Sequence, residues 1–177
     1  QFALSTRAGT DCVGHVVRLA TDLDPRTTVL SIDGIGAYDH VLREAMLSGL
    51  NAVPGARAML PFVRLAYEST SRYAWEDANG MVRFVEQAEG GEQGDPLMPL
   101  LFSLAIHKAL ERTKADLQEN EHLFAFLDDV YALCEPERVR TVYDSLSRHL
   151  FEVAGIRLHA GKTRVWNKAG EAPQGMD

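Results

Sequence analysis

The chain has 177 residues, 46% of them hydrophobic, and a formal net charge of −7. That length and composition suffice for one sizeable core, while the acid excess argues against a free-standing nucleic-acid binder, which normally offers Lys and Arg to phosphates. No run approaches the roughly 18 consecutive apolar residues of a membrane span, no basic-then-apolar leader opens the chain, and Cys12 and Cys134 lack any paired or metal-ligand spacing; a soluble chain in a reducing, intracellular setting is expected.

Val13, Val16, Val17 and Ala20 recur at helical spacing behind a possible cap at Thr10 or Asp11, and Asp24-Pro25 should end that helix. Thr27 to Asp33 (TTVLSID) is rich in β-branched residues and reads as a strand that ends on a carboxylate. After the loop GIGAYD, helices are expected around Val41 to Leu50 and Ala56 to Glu68. The runs RYAWED and MVRFVEQ flank Asn79-Gly80, a hairpin signal.

The glycine-rich EGGEQGDP leads into a long helix, with Asp95 as cap, Pro96 at the first position, and Leu97, Leu100, Leu101, Leu104 and Ala105 as the stripe that lies across a sheet. His122 to Leu127 and Val130 to Cys134 read as strands joined tightly at Asp128-Asp129. Pro136 opens a further helix carrying Val139, Val142, Tyr143, Leu146, Leu150 and Val153, which Gly155 ends. IRLHAGKTRVWN offers two more short strands. This order suits an α+β fold, with helices gathered on one face of a mainly antiparallel sheet.

An Asp-Asp pair between strands is, taken alone, a polar hairpin tip. A second strand, VLSID, also ends on a carboxylate, Asp33. If the two strands are neighbours, the charges meet; at about 4 Å they repel by roughly 4 kcal/mol for an effective dielectric of about 20. Such a cluster calls for a counter-charge, and divalent magnesium, which shares carboxylate and phosphate oxygens, is the natural candidate.

In this order and at these intervals, SIDGIGAYD, GGEQGDPLMPLLF, FLDD and GIRLHAGKT resemble the successive palm motifs of reverse transcriptases, particularly those of non-LTR retrotransposons and group II introns. The resemblance implies a polymerase palm, a ferredoxin-like or RRM-like antiparallel sheet with helices on one face. It implies a single reverse transcriptase domain, with a fingers-proximal segment over about 1–26, in which QFALSTRAGTD resembles the end of the fingers, a palm over 27–167 and a tail over 168–177. The thumb and most of the fingers would lie outside the chain, and with them much of the basic surface that grips template and primer.

Carried onto this sequence, the family's pattern makes Asp33 and Asp128 ligands of two Mg²⁺ ions, replaceable by Mn²⁺, with Asp129 a weaker or indirect ligand and the Gly34 carbonyl facing a metal. Tyr38 matches the aromatic that rejects a 2′-hydroxyl; with Leu127 rather than glycine before the hairpin pair, a DNA product is favoured over RNA. Gln93 and Gly94 match the loop that contacts incoming nucleotide and template, where glycine allows close backbone approach. Lys162 matches a lysine near the leaving phosphates, and Arg7 a basic residue near template or triphosphate. Asp95 is assigned a structural role. Met98 and Leu127 depart from the serine and alanine frequent in the family.

The implied function is RNA-directed DNA polymerisation, transferring nucleotides from dNTPs to a primer 3′-hydroxyl on an RNA or DNA template within a retroelement protein, nuclear or cytoplasmic. The alternative is a catalytically inactive palm relic that serves as a nucleic-acid or protein interaction module. A P-loop reading of Gly161-Lys162-Thr163 fails because Ile156 stands where a glycine is required and a strand-like run comes next. The histidines show no close ligand spacing.

Overall fold

The computed structural model describes residues 7–92, 94–173 and 175. Strand β1 (Thr28–Ile32) buries Thr28, Leu30 and Ile32 and leaves Val29 and Ser31 half-accessible, as alternating side chains in a half-covered strand should. Strands β4 (His122–Phe126) and β5 (Asp129–Cys134) form a hairpin that bonds to one side of β1, and β6 (Arg164–Trp166) bonds to the other. The sheet order is β4-β5-β1-β6, with every pairing antiparallel. Helix α6 (Val139–Ala154) carries the chain from β5 to β6, and a longer helical excursion joins β1 to β4. This is the βαββαβ connectivity of the ferredoxin-like class, so the α+β expectation is met.

That excursion holds α2 (Ala37–His40), α3 (Arg43–Ala52), α4 (Leu60–Tyr67) and α5 (Met98–Asp116), with the separate two-stranded hairpin of β2 (Ser71–Glu76) and β3 (Val82–Gln87) between α4 and α5. One core joins Leu30, Ile32, Val130 and Ala132 of the sheet to Met46 of α3, Phe102 and Ile106 of α5 and Leu146 of α6. Helix α1 (Gly9–Leu23) reaches β4. Glu121 is buried where β4 begins, and Arg138 bonds both of its carboxylate oxygens at 2.7 and 3.2 Å, tying β4 to the start of α6.

Several boundaries differ from expectation. Helix α1 starts at buried Gly9, so Thr10 and Asp11 lie within its first turn rather than capping it. The helix expected around 41–50 begins as α2 at Ala37, breaks at Val41, and resumes as α3. A short 3-10 helix, Pro54–Met59, takes up the residues before α4. Helix α5 starts at Met98 with Pro99 in its first turn, because Asp95 and Pro96 belong to a preceding turn in which Leu97 N–H donates to Asp95 Oδ1 at 2.8 Å. Its buried face is also broader than the expected stripe: Met98, Phe102, Ile106 and Ala109 are covered, while Leu97, Leu100 and Leu104 are half-buried, since α3, α6 and β4 all pack against it. Of the last two expected strands only β6 is regular; the first is reduced to a single bridge between Leu158 and Gly34.

Among the described residues no helix is long and apolar enough to cross a membrane. Because Leu101 is fully buried in the first turn of α5, Leu101→Ala should destabilise the chain by about 2–5 kcal/mol, the range for a core leucine whose cavity cannot collapse. Chemical denaturation followed by circular dichroism measures this, and a loss well under about 1 kcal/mol would contradict the packing described.

Candidate active site at the edge of the central sheet

The β1–β5 register places the acidic residues. Ile32 lies opposite Val130, so one further step of the antiparallel ladder sets Asp33 beside Asp129. Phe126 pairs with Asp129, which leaves Leu127 and Asp128 as the two central residues of the hairpin turn. The tip is therefore Leu127-Asp128 rather than Asp128-Asp129, and Asp129 is the first residue of β5. Leu127 has a positive φ of 56° and Asp128 does not, the pattern of a type II′ turn, whose twist matches that of the flanking strands.

The carboxylates influence one another. Burial raises the Asp129 pKa first, and the neighbouring charges of Asp128 and Asp33 raise it further. Lys162 supplies a counter-charge: its Nζ lies 2.9 Å from Asp33 Oδ2. The same turn is fixed to β1 by backbone. His159 N–H donates to the Asp33 carbonyl at 2.8 Å, and Lys162 N–H donates to the His159 carbonyl at 3.0 Å.

Tyr38 lies on α2, half-buried, with its ring stacked on Phe102 at 4.6 Å between centroids and 15° between planes. Burial, and then the charge of Asp128, push its pKa up to about 12. Asp128 borders a small crevice shared with Gly34, Ala37 and Phe102. Asp33, Gly34, Tyr38, Asp128, Asp129 and Lys162 thus gather at one end of the sheet. Gly94 is exposed after the glycine loop. Gln93 lies outside the described residues. Arg7 is exposed in the turn before α1, and among the described residues no hydrogen bond or ion pair joins it to the carboxylates.

The glycine loop is packed directly against α2. A Cβ on Gly90 would collide with the Asp39 carbonyl oxygen, and one on Gly91 would collide with Met98 Sδ. Gly90 N–H donates to Val41 O at 2.8 Å and Gly91 N–H to Tyr38 O at 3.0 Å. Met98, where the family pattern often has serine, is the side chain that fills the space under Gly91. Asp95 accepts a hydrogen bond from the Tyr67 hydroxyl, in keeping with a structural role; burial and that carboxylate raise the Tyr67 pKa.

Sequence reasoning missed Arg43, Tyr67 and His159. Arg43 precedes a glutamate in a helix and reads as a solvated surface pair, yet it is buried. The adjacent glycines were the available signal that something packs tightly against this loop.

Among the described residues no three His, Cys, Asp or Glu side chains converge as a ready-made metal cage. The donor chemistry nevertheless fits a hard divalent cation. Three carboxylates stand at one end of the two central strands, and the repulsion that adds to burial in raising the Asp129 pKa is what such an ion would relieve.

An antiparallel βαββαβ sheet with acidic residues at the ends of two central neighbouring strands is the architecture of a polymerase palm. Solved telomerase structures share it: the apo enzyme of Candida tropicalis superposes with a TM-score of 0.70 over 92% of this chain and 33% of that one, at 14% identity. The Candida albicans enzyme in complex with a fragment of telomeric RNA gives 0.64 over 93% and 32%, also at 14% identity. These likenesses establish the fold. The family is fixed by sequence: the model of the reverse transcriptase (RNA-dependent DNA polymerase) family matches residues 2–172, and the chain belongs to that family. It is 26% identical over 162 residues to the retrotransposable element SLACS 132 kDa protein of Trypanosoma brucei gambiense. It is 24% identical over 151 residues to the retrovirus-related Pol polyprotein from type-2 retrotransposable element R2DM of Drosophila melanogaster. These alignments take in 89% and 82% of the chain but only 14% of each relative's length.

The raised Asp129 pKa has a direct consequence. A carboxyl whose folded pKa exceeds its unfolded value opposes folding once pH rises through the unfolded pKa. Asp129→Asn should therefore raise Tm at pH 7 in buffer containing EDTA, and the gain should vanish near pH 3, where wild type is protonated in both states. Thermal melts at the two pH values check this; an equal gain at both would rule out charge repulsion as the cause.

Proposed function

We propose that the chain is the catalytic palm of an RNA-directed DNA polymerase, transferring nucleotides from dNTPs to a primer 3′-hydroxyl on an RNA or DNA template as part of a retroelement protein. The observation that carries this reading is the meeting of Asp33 with Asp128 and Asp129 at one edge of the β1–β5 ladder, in a chain of the reverse transcriptase family. Asp33 and Asp128 are the principal metal donors, Asp129 the weaker one, and the Gly34 carbonyl lies next in line. Two Mg²⁺ ions, or Mn²⁺ in their place, would supply Lewis-acid activation of the primer hydroxyl and charge neutralisation at the triphosphate.

The protein's own groups do the rest. Lys162, already drawn to Asp33, offsets carboxylate charge and is within reach of a role at the leaving phosphates. Tyr38 keeps its hydroxyl protonated far above neutral pH, so a neutral ring braced on Phe102 meets the sugar and excludes a 2′-hydroxyl. Gln93 and Gly94 contact nucleotide and template, and Arg7 adds a basic group toward template or triphosphate. The site of action is intracellular, nuclear or cytoplasmic.

Primer extension on an RNA template by the intact polypeptide that carries these residues tests the reading. Asp128→Ala should lower kcat at least about a hundredfold, since metal-assisted charge stabilisation amounts to several kcal/mol; equal synthesis by both forms would sink the assignment and favour an interaction module. Tyr38→Val should raise ribonucleotide incorporation relative to deoxynucleotides by about tenfold or more, the scale of steric discrimination in a close-fitting pocket. An unchanged ratio would remove Tyr38 from sugar selection.

A further inference from the structure

Arg43, at the start of α3, is only 7% exposed, yet among the described residues no carboxylate forms an ion pair with it. Its guanidinium is spread over three acceptors instead. Nε donates to the Gly90 carbonyl at 2.9 Å, one terminal nitrogen to the Ser69 carbonyl at 2.5 Å, and the other to Ser71 Oγ at 3.1 Å. The cation also lies 5.5 Å from the centroid of the Tyr67 ring. Removing a charge from water is costly, and an apolar side chain would fill the same volume. What the arginine adds is a rigid three-way link between α3, the glycine loop and the start of β2.

That link is joined to Tyr38. Gly90, whose carbonyl Arg43 holds, donates its own N–H to Val41 O, and Gly91 donates to Tyr38 O. Farther along, the Tyr67 hydroxyl donates to Asp95. The loop is thus held on both sides of Gly94, and its only backbone connection to Tyr38 passes through the segment that Arg43 grips, among the described residues.

We propose that Arg43 is a positioning residue: it fixes the distance between the glycine loop and Tyr38, and through that distance the discrimination between deoxy- and ribonucleotides. The sugar-selection half of this rests on the polymerase reading above; the positional half does not.

Arg43→Lys keeps the charge and loses the fork. Amide hydrogen exchange at Gly90 and Gly91 should rise about tenfold or more, the scale of one lost charge-assisted hydrogen bond, while amides of the β1–β5 ladder keep wild-type rates. Ser71→Ala, which removes one arm and leaves the core intact, should raise exchange at the same two glycines by about threefold. In primer extension Arg43→Lys should raise KM for dNTP by about tenfold, change kcat by less than about threefold, and increase ribonucleotide incorporation. Wild-type exchange at Gly90 and Gly91 in both variants would overturn the positional role. Faster exchange with unaltered sugar discrimination would overturn the selective role. Absence of synthesis by wild type itself would fall on the polymerase reading instead, and the exchange result would still decide what Arg43 does.

Discussion

Everything at the site depends on one antiparallel ladder, the five-residue pairing of β1 with β5 from Thr28 opposite Cys134 to Ile32 opposite Val130. Register in a half-buried sheet is strongly determined, because a slip of one residue would turn Leu30 and Ile32 away from α5 and α6 and bring Ser31 and Tyr131 into the core. The apolar pattern of the two strands thus does more than hold the sheet together. It fixes where each strand runs out, and both run out on carboxylates. Burial and then the repulsion this creates raise the pKa of Asp129, a cost borne by the buried cluster beneath, whose residues gain nothing from the charges above them.

The compensation is local and ordered. Lys162 does not reach Asp33 as a stray surface cation; it is delivered by a turn whose first amide, from His159, is bonded to Asp33's own carbonyl. Backbone and side chain of one aspartate are therefore held by two ends of the same four-residue turn. Because Lys162 remains largely exposed, its charge is screened and the ion pair adds little to stability. Its value is geometric, in that the cation nearest the carboxylates is tied to the strand that bears one of them.

How much of this could be read from residues alone depends on which forces are local. The strand ending on Asp33, the hairpin at FLDD and the helix ended by Gly155 are set by β-branched runs, turn residues and a helical stripe, and all are legible. The turn type was not: Leu127 takes a positive φ that its side chain disfavours, because pairing of Phe126 with Asp129 demands a two-residue connection. Nor was the breadth of the buried face of α5, since a helix packed against α3, α6 and the sheet's edge strand presents no single stripe. Arg43 is the sharpest case. Its partners are carbonyls and a hydroxyl 26 to 47 residues away, and nothing in its neighbours along the helix marks it as buried.

The chain's charges also bear on the polymerase site proposed above, since the chain as a whole is acidic. Among the described residues half of its fourteen arginines meet a carboxylate of the chain itself: Arg26 meets Glu135, Glu137 and Glu171, Arg140 meets Asp144, Arg148 meets Asp116, Arg83 meets Asp77, and Arg64, Arg112 and Arg138 pair likewise. A guanidinium so engaged must give up a carboxylate before it can take a phosphate, and counterion release then contributes correspondingly less to binding. Catalytic carboxylates and a phosphate grip are in direct electrostatic conflict when they share one small surface. On the polymerase reading proposed above, this chain's balance of charge favours the carboxylates over a phosphate grip.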